Sequence, residues 1–313
     1  MAVDAPAAPA AQPGQTRRIR RPQWGTLLSA TRTPRGAIGL GLASLVVLVA
    51  VVGPLLAPNS PDALVTLAFG KPSGEFPLGG DSLGRDVLSR VLDGGRALLV
   101  MATCATALGV AGGAAAGVSA AYLRGVSDGI IMRAVDVILS FPQLVFALLL
   151  LSLLGPKLWL ITIAVGVSHG PQVARVLRSA TLDLSERDFV KAAELQGMRP
   201  VKVMWKEILP NLVSPLMVEA GLRLTYSIVI IAGLAFLGFG QPPPAASWGT
   251  MINENRDGLS LDPWAVIVPA LLIALLTIGT NTFTDAFARV AIGVDRRPDE
   301  AALIEDLSQG LGE

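Results

Sequence analysis

Long apolar runs separated by short polar stretches set the plan of this chain. Runs of about twenty residues, enough to cross a bilayer as a helix, occupy residues 37–57, 97–122, 130–154, 158–177, 212–238 and 263–283. They predict an all-α membrane protein with six transmembrane helices. The third and fourth runs are separated only by Gly155, Pro156 and Lys157, which predicts a tight helical hairpin. Pro142 predicts a kink within the third. The second run, containing GVAGGAAAGVSAAY, is dense in small residues and belongs in a packed interior where backbones approach closely.

One polar insertion stands out, residues 185–215, SERDFVKAAELQGMRPVKVMWKEILPNLVSP. It predicts a helix over 186–196 with Ser185 as N-cap, stopped at Gly197, where a left-handed conformation ends a helix cheaply. Pro200 suits the first turn of a second helix and Pro210 closes it. Phe189, Ala192, Ala193 and Gln196 share one face of the first helix; Met204, Trp205 and Ile208 share one face of the second. The stretch is a compact helix-turn-helix knob. Read alone, it fits an interfacial linker equally well.

Composition agrees with the spans: 52% hydrophobic, 16% charged, mean hydropathy +0.58. The net charge of +1 gives no ground for nucleic-acid binding. Cys104 is the single cysteine, so no intramolecular disulfide forms, and its place in an apolar run reads as a small buried packing residue. His169 is the single histidine, which excludes a multi-histidine metal site. Residues 1–34 read as a disordered tail with a basic cluster at Arg17, Arg18, Arg20 and Arg21. No apolar region near the start suggests a cleavable signal.

Lysine and arginine fix an expected orientation. Most fall on the side that holds the N-terminus and the 185–215 insertion; Lys71, Arg85, Arg90, Arg96, Lys157 and Arg256 fall on the other. Both termini and the knob are therefore expected in the cytoplasm. Trp159, Trp248 and Trp264 then lie near the outer interface. The outer segment after the first span turns amphipathic, with Leu83, Val87, Leu88, Val91 and Leu92 on one face and Arg85, Asp86, Arg90 and Asp93 on the others. A helix lying in the interface follows. Within the spans, Arg133 with Asp136 and Glu219 with Arg223 read as ion pairs near the inner side. His169 reads first as a satisfied interhelical hydrogen-bonding group.

Three stretches resemble one family. The knob is similar to the EAA loop of ABC-importer permeases: Ala192-Ala193, Gly197 and Leu209-Pro210 fall in register, while Lys191 stands at the pattern's first Glu and Glu207 at its hydrophobic position. LGGDSLGRDVLSRVLDGGR resembles the LGTDxLGRDVLSRLLYGAR signature of dipeptide/oligopeptide/nickel importer permeases. PPPAASWGTMI is similar to their PPxPSWGxML stretch, and Asn281, Asp285 and Arg289 loosely follow their closing pattern.

The resemblance implies a type I ABC-importer permease of the DppC/OppC kind. It implies a first helix and outer segment (35–94), a five-helix core (95–292) holding the coupling loop, and a cytoplasmic tail (293–313). Implied partners are a homologous second permease, two ATP-binding subunits, an external solute-binding protein, the bilayer of a bacterial inner membrane, and a peptide or related small solute. No cofactor is expected on this chain, which lacks a P-loop; ATP and Mg belong to the ATPases, and the chain is not expected to be an enzyme. Asp188, Phe189, Lys191, Ala192, Ala193, Gly197, Trp205, Leu209 and Pro210 are the expected ATPase-coupling residues. Asp81, Gly84, Arg85, Asp86, Arg90 and Trp248 are expected on the binding-protein side. An ion-gradient-driven carrier is the alternative, but Asp136, Glu219 and Asp285 lie near span ends rather than at midmembrane. A hydrolase built on Cys104 and His169 lacks any local motif.

Overall fold

The computed structural model describes residues 23–241 and 244–292. The basic cluster at Arg17–Arg21, two prolines of the outer turn (Pro242 and Pro243) and the acidic tail fall outside these residues.

Among the described residues the chain is helical apart from loops and two isolated bridges, Leu64 with Arg85 and Gly80 with Asp86. A short α1 (Gln23–Thr31) precedes α2 (Pro34–Leu56), whose start is capped by the Thr33 hydroxyl accepting from Gly36 N at 3.0 Å. After a long loop come α3 (Val87–Asp93), α4 (Arg96–Leu123), α5 (Gly125–Leu139), α6 (Gln143–Leu154) and α7 (Leu158–Ser185). The insertion holds α8 (Asp188–Leu195) and α9 (Pro200–Val203). Then follow α10 (Val213–Leu234), α11 (Trp248–Asn255) and α12 (Trp264–Ile292). Among the described residues five helical segments are long and apolar enough to cross a membrane, and six if α5 and α6 count as one broken span.

The expected kink at Pro142 is a sharp break: α5 and α6 meet at 80° across residues 140–142. Proline denies the ladder a donor there and opens a new helix at Gln143. Gly155 at φ +82 makes the turn of the hairpin into α7. Part of the presumed tail is in fact helical, because α1 packs against α12.

The packing centre is the α4–α7 contact. Gly109, Gly113 and Gly117 recur every fourth residue on α4 and face α7 backbone. A Cβ at Gly113 would lie 2.4 Å from Gly170 O, and one at Gly117 would lie 2.4 Å from Ala174 O. Apolar burial gives little net drive inside lipid, so close backbone packing holds such helices together. The small-residue reading of the second span is borne out. Gly112, one residue away, faces open space.

Two further expectations fail in the bundle. Cys104 is exposed rather than buried, because it lies on the outward side of α4 beside Trp159 and Thr162. Asp136 pairs with Arg175 of α7 at 2.6 Å rather than with Arg133: an i,i+3 neighbour on one helix is displaced by an arginine facing from another.

Gly113→Ala is expected to lower stability by about 1–3 kcal/mol through overpacking. Gly112→Ala should stabilise by up to about 1 kcal/mol through helix propensity alone. Thermal unfolding of the two variants in the same detergent checks the contrast.

Candidate functional site

The knob grows out of the end of α7. Arg187, not Ser185, precedes the first turn of α8, since α7 runs on through Ser185. Asp188 lies in the first turn, where a carboxylate suits the helix dipole. At the other end Gly197 takes φ +74. Its N–H donates to Glu194 O at 2.9 Å while Met198 N donates to Ala193 O at 3.1 Å. This paired closure is a Schellman stop. Pro200 opens α9, as expected, but Pro210 does not end the second helix. A wide π turn over Met204–Ile208 and a 3-10 turn over Leu209–Asn211 carry the chain through the proline into α10.

Two faces result. Val190, Ala193, Val203, Ile208 and Leu212 are buried together against Val118 near the end of α4. Asp188, Phe189, Lys191, Ala192, Gly197, Trp205 and Pro210 are exposed, with Leu195 89% and Trp205 65% accessible; Leu209 is half-buried. The predicted faces therefore divide: Ala193 and Ile208 point inward, Ala192 and Trp205 outward.

Polar ties fasten the knob to α4. Tyr122 Oη donates to Glu194 Oε1 at 2.8 Å. Arg124, held at φ +53, donates to Ser185 Oγ at 3.2 Å and pairs with Glu186, whose other oxygen lies 3.3 Å from Lys191 Nζ. Arg124 first and Lys191 second hold the Glu186 carboxyl below its ordinary range. Lys191 is thus engaged within the knob. These pairs are exposed, so they set geometry more than stability.

At the opposite end of the bundle, the loop 57–86, α3 and α11 form a cap built on four charges. Asp81 Oδ2 lies 2.6 Å from Arg85 Nε and 3.2 Å from Arg90 Nη1; Glu254 Oε2 lies 2.8 Å from Arg85 Nη2 and 2.9 Å from Arg90 Nη2. Carboxylates and guanidiniums alternate around a closed square, and Asp81, Arg85 and Arg90 are almost wholly buried. The interfacial-helix expectation is corrected here: the polar face of α3 turns inward because its charges find partners there. Asp86 caps α3, accepting from Leu88 N at 3.2 Å and Ser89 Oγ at 2.6 Å. Gly84 at φ +82 admits the Thr66 carbonyl where a side chain would collide. Trp248, fully buried rather than interfacial, donates from Nε1 to Val91 O at 2.8 Å, and its ring covers Gly95. Trp159 and Trp264 are exposed, as an interfacial position requires. Burial also pushes up the carboxyl of Asp262, which lies under Gly79.

Between knob and cap, Glu219 and Arg223 pair at 3.3 Å as expected. His169 is buried, with Nδ1 2.9 Å from Gln143 Nε2 and Nε2 2.9 Å from Ser227 Oγ. Both ring nitrogens are engaged, which leaves neither as a base for Cys104. On another side of α10 an apolar groove of about 790 Å³ runs between α4, α10 and α12 to Trp205. Among the described residues no cluster of three or more metal-ligating side chains occurs.

Residues 112–291 match the family described as binding-protein-dependent transport system inner membrane component. The chain belongs to that family. A provisionally named peptide transport system permease protein of Brucella suis is 36% identical over 255 residues, covering 81% of this chain and 86% of that one. The dipeptide transport system permease proteins DppC of Haemophilus influenzae and Alkalihalophilus pseudofirmus are 33% and 32% identical, covering 80% and 79% of this chain and 88% and 82% of theirs. The permease has the all-α type I ABC-importer permease fold, and it is a transport component rather than a catalyst.

Sequence reasoning missed Glu254 of the cap, and it marked Asn255 only as one polar residue of the run after Trp248. Asn255 Oδ1 accepts from Ser82 N at 2.8 Å, closing the cap beside the ion square. Their sequence neighbours Asn253 and Asp257 gave the stretch only a generally polar character.

Asp81→Asn should destabilise the permease by roughly 3–5 kcal/mol, because it leaves two buried guanidiniums with one carboxylate between them. Glu254→Gln should cost less, since Glu254 is 24% accessible and water can replace part of its role. Unfolding temperatures in detergent give the order.

Proposed function

We propose that this permease forms the membrane path of an ATP-driven importer for peptides or a related small solute, with a homologous permease beside it. The observation that carries this reading is the knob: a short helix stopped on both sides, with Phe189, Ala192 and Leu195 exposed among charged residues on its free face, and fastened through Arg124 and Tyr122 to the end of α4. Such a body moves as a unit with the helices it grips. Two separate ATP-binding subunits, which supply ATP and Mg, take the exposed face of Phe189, Ala192, Leu195 and Trp205 into a cleft on the cytoplasmic side. Their closure shifts the bundle between inward- and outward-open states. The relatives named for peptide and dipeptide transport support the solute class.

The positive-inside bias supports a bacterial inner-membrane location with both termini and the knob in the cytoplasm. An external solute-binding protein then meets the cap. The buried residues Asp81, Arg85, Asp86, Arg90 and Trp248 act there as scaffold, holding the exposed loop surface in shape rather than touching the partner. The division into outer segment, five-helix core with coupling loop, and tails follows the same plan.

Gly197→Val forces a branched side chain into a left-handed position at a cost of about 1–2 kcal/mol. In the purified complex it should uncouple ATP hydrolysis from binding protein and solute while leaving the membrane helices folded. A chain that purifies without ATPases and drives uptake from an ion gradient would overturn this reading.

A further inference from the structure

The faces of α10 differ in chemistry. One, with Leu216, Ala220 and Leu224, walls the apolar groove. The neighbouring ridge carries Glu219 and Arg223 one turn apart with Tyr226 alongside, while Ser227, the next residue on that ridge, is fully buried and hydrogen-bonds Thr106 Oγ1 at 3.1 Å beside the groove. Arg223 lies about 15 Å along the helix from Val213, well inside its apolar length. Its guanidinium stands 5.2 Å from the centre of the Tyr226 ring, and Tyr226 is 52% accessible. The Glu219 side chain is nine-tenths buried, yet Glu219 Oε2 and Arg223 Nε make no hydrogen bond beyond their ion contact. A charged pair with unspent hydrogen-bonding capacity, next to an accessible tyrosine, is too costly against hydrocarbon and belongs beside a polar path.

The hydrogen-bond order behind this face is fixed. Ser168 Oγ donates to Val165 O at 2.7 Å, so it accepts from Gln143 Nε2, also at 2.7 Å. The Gln143 amide nitrogen therefore faces His169 Nδ1, which accepts, and His169 Nε2–H donates to Ser227 Oγ. His169 is a neutral strut that fixes the angle of α10 to α7.

We propose that this face of α10 is a solute-contact subsite of the translocation path, where Arg223 meets a carboxylate and Glu219 an ammonium group of a zwitterionic peptide. The inference rests on the importer reading above.

The test uses the complete transporter in liposomes with Cys104→Ala as background. Tyr226→Cys, or Val229→Cys one turn on should the first fail to assemble, is compared with Leu224→Cys for reaction with a charged, membrane-impermeant methanethiosulfonate. The path position should react about tenfold faster than the groove position, as water access rather than lipid predicts. A dipeptide delivered with binding protein and ATP should slow that reaction, and Arg223→Gln should remove the protection. Equal reactivity at both positions, or no protection by the dipeptide, overturns the subsite. Dipeptide uptake by the Cys104→Ala complex is scored separately: its loss counts against the importer reading, and its retention with an inert path cysteine counts against the subsite alone.

Discussion

Close backbone contact between α4 and α7 is the constraint on which the rest of the bundle depends. In lipid, apolar side chains gain little by meeting one another, so the helices hold together through the depth of their approach. Gly109, Gly113 and Gly117 provide that approach. The same two helices carry the knob: Val118 and Tyr122 lie on the last turns of α4, and only Glu186 and Arg187 separate the end of α7 from α8. A displacement of the knob therefore reaches the packing centre across a two-residue turn at Glu186 and Arg187 and through the side-chain ties to α4. Arg124, in an unfavourable left-handed conformation, locks the junction by pairing with Glu186.

The cap uses a different physics. Three of its four charges are withdrawn from water and the fourth, Glu254, mostly so, and one oxygen of each carboxylate serves both guanidiniums. Such a ring is tolerable only when complete, because a buried charge without its partner is far costlier than an exposed one. It joins segments far apart in sequence into a single body, with the Trp248 indole as the apolar half of the same joint. The signature stretch around Asp81–Arg90 is thereby explained as structure: turn glycines, a helix cap, one of the ring's anions and both of its cations.

Much of the fold was legible because its signals are local. Apolar run length fixed the spans, the small-residue stripe in the second run fixed the packed helix, and Gly197 with Pro200 fixed the turn of the knob. What could not be read depended on partners distant in the chain. Arg85 and Arg90 looked like the wet side of an interfacial helix because Glu254 cannot be paired with them by periodicity. Asp136 looked like the neighbour of Arg133 because Arg175 comes from another helix. The passage through Pro210 was hidden for another reason, since a π turn has no strong residue signature. Cys104 lay in an apolar run, and a run reveals depth in the membrane but not which side of the helix is covered.

The ion ring also has a meaning in time. Synthesis runs from the N-terminus, so Asp81, Arg85 and Arg90 are complete long before Glu254 has been made. Until α11 arrives, the two guanidiniums share one carboxylate and the cap cannot close dry. Closure is thus a report that the fifth span has been inserted the right way round, with its far end delivered to the same side as α3. A chain threaded in the wrong sense would leave this cationic pair sharing a single carboxylate.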